Sequence, residues 1–159
     1  MYAETRSRRL ERDVLRTMET KARTEIVYTA RTRTTGGREN GVSRSCDGYL
    51  DVKLVAPSST HIGTNPEQLF AAGWSASFEG AIGCAAHKKK IKLRADVTID
   101  AEVDLHLHDS SYFFLSARLN VSIPGVERRI AEELVDDAKV LCAYSRATMG
   151  NITVTYKLV

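Results

Sequence analysis

A long run of small apolar residues after Asn65-Pro66 constrains the fold of this chain more than any other feature of its sequence. Asn can cap the free amides of a helix start, and Pro is tolerated at the first helical position. We therefore predict a helix from Pro66 to about Lys90, which would be roughly 37 Å long. Its middle is rich in Ala and Gly, and each Gly destabilises a helix by about 0.8–1 kcal/mol relative to Ala. Glycines kept in a helix in spite of this loss of stability indicate that another backbone packs closely against it. We therefore expect this helix to be central and buried.

The segments on either side of this helix have the patterns of strands and of one further helix. A small antiparallel meander precedes it, with turns at Gly36-Gly37 and Asp47-Gly48. Alternating apolar residues and β-branched runs predict the strands, and an apolar face predicts the second helix. The order β-β-β-α-β-β-α-β fits an α+β fold of antiparallel sheets around two central helices. The predicted elements with definite bounds are strands in 26–35, 49–55, 93–107, 112–123 and 152–158, a hairpin turn at 109–111, and a helix that follows Pro124 and ends near Cys142.

Charge and composition exclude several classes of protein. Of the formal charge of +3, all is carried by residues 1–24, which we interpret as a charged helical extension; residues 25–159 are neutral and form one domain. A neutral domain lacks the basic face that nucleic-acid binding needs. No run of 18 apolar residues is present, so we expect no membrane span. Three widely spaced cysteines without a CxxC pair fit neither a disulfide framework nor a zinc site, and indicate a reducing, cytoplasmic location.

Metal and serine-hydrolase chemistry both have weak support. His106 and His108 share a face of a strand, but no HExxH motif or carboxylate cluster accompanies them, so we interpret them as solvent-facing. The segment around Ser75 lacks the GxSxG spacing and lies inside a predicted helix. We therefore expect no metal and no cofactor.

Two longer segments carry a more specific signal. Residues 63–78 read GTNPEQLFAAGWSASF and residues 141–152 read LCAYSRATMGNI. Both closely resemble the organic hydroperoxide resistance (Ohr) branch of the OsmC superfamily, and Gly36-Gly37-Arg38 matches the GGR turn of that family. The likeness covers roughly residues 28–159. It implies an OsmC-type α+β domain that forms a homodimer, in which two subunits wrap around each other and build sites at their interface.

The resemblance also implies a reaction and a set of residues. In that family a cysteine in the buried helix attacks an organic hydroperoxide and becomes a sulfenic acid. A second cysteine condenses with it, and a dithiol such as dihydrolipoamide or a lipoylated protein reduces the disulfide. By this mapping Arg38 activates the thiol and the peroxide, Glu67 anchors Arg38, and Cys142 is the resolving thiol. Phe70, Trp74 and Phe78 are then the apolar wall that selects alkyl and lipid hydroperoxides.

The attacking position is Ser77, and this is the main departure from the family. A serine hydroxyl forms neither a sulfenic acid nor a disulfide, so we expect the chain as written to be inactive as a thiol peroxidase. Three explanations are open: a Cys-to-Ser substitution made on an active enzyme, a natural paralogue without turnover, or transfer of the role to Cys84. The alternative function is non-catalytic binding of lipid hydroperoxides, acyl chains or a lipoylated partner in the same pocket.

Overall fold

The computed structural model describes residues 24–159; the predicted extension at residues 1–24 therefore lies, but for its last residue, outside the described residues. A boundary between two units of the chain falls between residues 32 and 33. Residues 24–31 are exposed and form neither helix nor strand, so the first predicted strand is confined to β1, Thr32–Thr35. Between residues 24 and 159, no helix combines the length and the apolar character that a membrane crossing requires.

A small sheet opens the fold. It consists of β1, β2 (Val42–Ser45) and β3 (Asp51–Lys53), in that order. The predicted turn at Gly36-Gly37 is confirmed, since both glycines have positive φ angles of 79° and 73°. One helical turn follows it, α1 (Gly37–Asn40), which carries Arg38. A Cβ at Gly41 would lie 2.1 Å from the carbonyl oxygen of Gly37, so only glycine allows β2 to start directly after this turn.

The long helix predicted from Pro66 is confirmed as α2 (Pro66–Lys88). The Asn65 side chain accepts a hydrogen bond from the Gln68 amide at 2.8 Å, which is the expected N-terminal cap. The helix ends two residues before the predicted Lys90, which has a left-handed φ of 57°. One face is buried in the core, through Trp74, Phe78, Ala81, Ile82, Ala85 and Ala86.

The main sheet contains β4 (Thr98–His108), β5 (Tyr112–Ser122) and β6 (Thr153–Leu158). β4 and β5 form an antiparallel hairpin of eleven paired positions, from Thr98 opposite Ser122 to His108 opposite Tyr112. The predicted turn at residues 109–111 is confirmed, with positive φ at Asp109 and Ser110. β6 runs parallel to β5, because the chain first crosses the sheet through two helices.

Those two helices are α3 (Arg128–Leu141) and α4 (Ala143–Thr148). α3 is the predicted second helix, and it buries Leu134 and Ala138 against α2 and the sheet. The six-residue helix α4 was not predicted. The molecule is thus an α+β fold, as expected, with α2 and α3 packed on one face of the β4–β5–β6 sheet.

Candidate active site

Ser77 and Cys142 are in direct contact. The Ser77 Oγ lies 3.4 Å from the Cys142 Sγ, a hydrogen-bonding distance for sulfur. Ser77 is half-buried in the middle of α2, and Cys142 is 1% exposed at the junction of α3 and α4. The Cys142 amide donates to the carbonyl of Ala138 and its own carbonyl accepts from the Arg146 amide, so both helices fix its backbone. The two positions that the resemblance pairs as attacking and resolving groups therefore adjoin each other.

Arg38 and Glu67 form a second pair. The Arg38 Nη2 lies 2.8 Å from both carboxylate oxygens of Glu67. α1 carries the guanidinium to the first turn of α2, where the carboxylate also faces the positive end of the helix dipole. The Glu67 side chain is 15% exposed and that of Arg38 is 40% exposed. Within residues 24–159, the Arg38 Nε and Nη1 donate no hydrogen bond, so they remain available to a ligand.

The two pairs do not meet within one chain. Glu67 and Ser77 are ten residues apart on the same helix, which separates them by roughly 15 Å along its axis. Because Arg38 is bound to Glu67 at the N-terminal end of α2, its guanidinium is also distant from Cys142. The four residues thus form two half-sites at separate points along α2, the Arg38–Glu67 pair at its N-terminal end and the Ser77–Cys142 pair at its middle.

A cavity of about 330 Å³ adjoins the Arg38–Glu67 pair. Its lining combines these two charged side chains with apolar residues of α2 and β4. Neither Ser77 nor Cys142 is part of its lining, which consists of Arg38, Pro57, Asn65, Glu67, Gln68, Ala71, Ala101, Val103 and Leu105. The cavity is suited to a molecule with a polar head and a hydrocarbon body.

The three aromatic residues predicted as a substrate wall lie in or against the core. Trp74 and Phe78 are fully buried, and neither lines the cavity. Phe70 is partly buried, with its ring 5.5 Å from that of Trp74 and 5.9 Å from that of Tyr144. In the single chain these rings stabilise the packing around the Ser77–Cys142 pair, and contact with substrate stays a prediction.

The sequence did not predict a role for Ser145. This residue is 4% exposed and links α4 to α2 and β6. Its Oγ accepts hydrogen bonds from the Trp74 Nε1 at 3.1 Å and from the Tyr156 hydroxyl at 2.9 Å. Burial raises the pKa of the Tyr156 phenol, and the neighbouring Cys142 adds to this shift. The available signal was a serine one helical turn after Cys142, in the segment that resembles the Ohr branch.

The remaining residues considered from the sequence lie elsewhere. Cys46 and Cys84 are exposed, and Cys84 follows Ser77 by two helical turns, about 10 Å along the axis. The His106 Nε2 is 2.8 Å from the Ser116 Oγ, and its ring stacks on Phe114 at 4.7 Å. In the described part of the chain, no three metal-ligating side chains cluster.

The chain is similar to known proteins over most of its length. Residues 58–157 match the family model of the OsmC-like proteins. The organic hydroperoxide resistance protein of Xanthomonas axonopodis pv. citri (strain 306) is 42% identical over 138 residues, 84% of this chain and 96% of that protein. The protein OhrB of Bacillus subtilis (strain 168) is 38% identical over 136 residues, 83% of this chain and 98% of that protein.

The fold agrees equally well with solved structures. The crystal structure of an organic hydroperoxide resistance protein from Legionella pneumophila matches with a TM-score of 0.79 at 39% identity, covering 84% of this chain and 98% of that one. Sequence and fold thus match the same group of proteins over most of their length, and the resemblance noted in the two motif segments is confirmed. The chain belongs to the OsmC-like family and, within it, to the organic hydroperoxide resistance subfamily.

Proposed function

We propose that this chain is a thiol-peroxidase scaffold for organic hydroperoxides, with alkyl and lipid hydroperoxides as its ligands and a serine at the attacking position. The observation that carries the proposal is the contact between Ser77 and Cys142. The other residues assigned to the reaction, Cys142, Arg38 and Glu67, are all present in this chain. The names of its relatives support organic hydroperoxides as the ligand class.

With a cysteine at position 77, the proposed reaction has three steps. Its thiolate attacks one peroxide oxygen, the O–O bond breaks, and the alcohol leaves after taking up a proton, so that the sulfur becomes a sulfenic acid. The Cys142 thiol then attacks that sulfur, a disulfide forms and water leaves. A dithiol such as dihydrolipoamide, or a lipoylated protein, restores both thiols by exchange. These steps fit a reducing compartment, for which we propose the cytoplasm.

The serine interrupts this cycle at its first step. The Ser77 hydroxyl stays protonated at neutral pH, and it forms no covalent bond with the Cys142 sulfur. We therefore propose that the chain as written binds hydroperoxides at this site without turnover. The exposed Cys84 does not replace it, because it is about 10 Å further along α2 than Ser77.

A second copy of the chain is needed to complete the site. Within one chain, Arg38 and Glu67 are roughly 15 Å along the helix from Ser77, too far to act on it. α2 also presents an exposed stripe of small residues, spaced four apart: Ala72, Ala76, Gly80 and Cys84. The tip of the β4–β5 hairpin exposes Leu107 and Phe113, which are 53% and 64% accessible. We propose a homodimer that covers these surfaces and brings the Arg38–Glu67 pair of one subunit to the Ser77–Cys142 pair of the other.

A second candidate function is binding alone. The cavity favours it, because Arg38 lines it together with apolar residues such as Val103 and Leu105. Such a site suits lipid hydroperoxides, acyl chains with an anionic head, or the lipoyl arm of a partner protein. This function needs no thiol at position 77.

One substitution separates the two candidates. Ser77→Cys is expected to consume cumene hydroperoxide rapidly with dihydrolipoamide as the reductant, because it restores a thiol beside Cys142. Ser75→Cys is the matched control, since Ser75 lies on the same helix but bonds to the Ala72 carbonyl rather than to Cys142. Turnover by Ser77→Cys alone supports the peroxidase scaffold. A folded Ser77→Cys protein that binds the hydroperoxide without consuming it supports binding alone.

A further inference from the structure

Two side-chain contacts join α2 to the segment that starts at Cys142. Trp74 contacts Ser145 at 3.1 Å, and Ser77 contacts Cys142 at 3.4 Å. From the first contact to the second, the chain advances three residues on α2 and goes back three residues on the other segment. Residues three apart lie on the same helical face. The two segments therefore run antiparallel, and the Trp74–Ser145 contact lies one turn from the Ser77–Cys142 contact.

Ser145 is the fixed point of this arrangement. Its hydroxyl oxygen accepts from Trp74 on α2 and from Tyr156 on β6, so that both lone pairs are used. Trp74 is fully buried, and the Tyr156 ring stacks on that of Phe78 at 5.1 Å, which holds both donors in place. Two rigid aromatic donors from different elements thus define the position of one small side chain.

The position of Cys142 depends on this anchor. α4 has only six residues, and the backbone of Cys142 is extended where α3 gives way to α4. Backbone hydrogen bonds to Ala138 and Arg146 join Cys142 to α3 and α4, but the restraint of α4 against α2 has to come from side chains. Ser145 supplies that restraint, since it is the first buried side chain after Cys142.

We propose that Ser145 is a positioning residue that holds the sulfur of Cys142 within bonding reach of position 77. The inference rests on the proposed function, because it assigns Ser145 a role in the thiol pair of that site. Without the two hydrogen bonds, the turn at 142–145 shifts and the two sulfur atoms of an active form meet less often. Attack of a thiol at position 77 on the peroxide does not need Ser145, whereas closure of the disulfide does.

The first test measures the position of the thiols directly, without any peroxide. In the Ser77→Cys protein, the disulfide between positions 77 and 142 is equilibrated with reduced and oxidised glutathione, which gives the effective concentration of the two thiols. Adding Ser145→Ala is expected to lower it roughly 10- to 100-fold. Each tenfold change corresponds to about 30 mV in reduction potential. Ser145→Thr keeps a hydroxyl acceptor and is expected to restore most of the loss, whereas the control Ser75→Ala leaves the potential unchanged.

The second test separates the two chemical steps. With one equivalent of cumene hydroperoxide, Ser77→Cys/Ser145→Ala is expected to form the sulfenic acid at the normal rate but the disulfide slowly, so that dimedone traps more sulfenic acid. Tyr156→Phe removes one donor, keeps the ring stacked on Phe78, and is expected to produce a smaller change in the same direction. Tyr156→Phe also replaces Ser145→Ala as the test variant if the latter does not fold.

The outcomes distinguish the two proposals. An unchanged potential and disulfide rate in folded Ser145→Ala, or in Tyr156→Phe if the former does not fold, overturn the role of Ser145. If Ser77→Cys does not react with hydroperoxide at all, the proposed function fails. The glutathione equilibrium still decides whether Ser145 positions Cys142 in that case.

Discussion

A hydroxyl and a thiol respond differently to the same surroundings. The Ser77 hydroxyl touches the Cys142 sulfur, but only a sulfur atom at position 77 can pass through the oxidation states that the proposed cycle needs. The motif resemblance identified Ser77, Cys142, Arg38 and Glu67, because it implies a role in the reaction for each of these positions. It did not identify Ser145, whose importance depends on donors 71 and 11 residues away in sequence. Contacts of that range have no local pattern.

Removal of the Arg38 guanidinium tests its predicted activating role. In the Ser77→Cys background, Arg38→Ala is expected to lower kcat/KM for cumene hydroperoxide roughly 100-fold, because in the proposed homodimer it removes the charged donor that we assign to the reacting oxygen atoms. Arg44→Ala is the control, since Arg44 is an exposed arginine paired with Asp51. Equal activity of the two variants would contradict the role assigned to Arg38.

Asp104 gives a prediction about pH. Hydrogen bonds from Arg118 lower the pKa of the Asp104 carboxyl from 3.8 to about 2. The folded state therefore binds this proton less readily than the unfolded state does, so the contribution of Asp104 to stability is present above about pH 4 and is lost as the pH falls toward 2. In Asp104→Asn, the free energy of unfolding from urea titrations is expected to fall less over this range. An unaltered pH dependence would contradict the assignment, and Asp100→Asn on the same strand is the control.

Among the elements, α2 was the most predictable and α4 the least. Consecutive residues of the sequence indicate where α2 starts, at Asn65-Pro66, that its interior consists of small residues, and how long it is. The helix ends within two residues of the predicted end. α4 has six residues and no apolar repeat of its own, and its formation depends on packing against α2. The parallel pairing of β6 likewise depends on the path of the chain through two helices rather than on the pattern of the strand.

The cap of α2 is testable by itself. Asn65→Ala is expected to destabilise the protein by about 0.5–2 kcal/mol, because the Gln68 amide loses its acceptor. Asn65→Asp keeps an oxygen in the same place and is expected to retain most of the stability. The measurement is the urea midpoint at neutral pH, and equal midpoints for the Ala and Asp variants would show that the cap does not stabilise the helix.

At the scale of the whole molecule, the exposed part of α2 bears on how two subunits could associate. The predicted close packing of α2 holds at Gly73, where an added Cβ would lie 2.6 Å from the Tyr144 hydroxyl. At Gly80 and Gly83 an added Cβ meets no atom of the described chain within 4 Å. The sequence predicted that α2 is closely packed along its length. Within one chain, other residues pack closely against Gly73 but not against Gly80 or Gly83. The remainder is the surface to which we assign the second subunit.

Gly80 therefore tests the homodimer. In a monomer, Gly80→Leu would be tolerated, because the side chain would extend into open space and leucine favours a helix over glycine. In the proposed homodimer it is expected to obstruct close approach of the subunits and to yield monomers in analytical ultracentrifugation. Glu132→Leu, at an exposed position of α3, is the control for added surface hydrophobicity. A Gly80→Leu protein with the same mass distribution as the unchanged chain would contradict this surface as the interface.

The ten-residue spacing of Glu67 and Ser77 along α2 has a genetic consequence. If each catalytic centre draws its guanidinium from one polypeptide and its sulfur atoms from the other, two differently defective chains can compensate for each other. A co-expressed mixture of this chain with a Ser77→Cys/Arg38→Ala version would contain hybrid pairs in which one centre out of two is intact. Intragenic complementation, absent from either parent alone, would then rescue cells from peroxide.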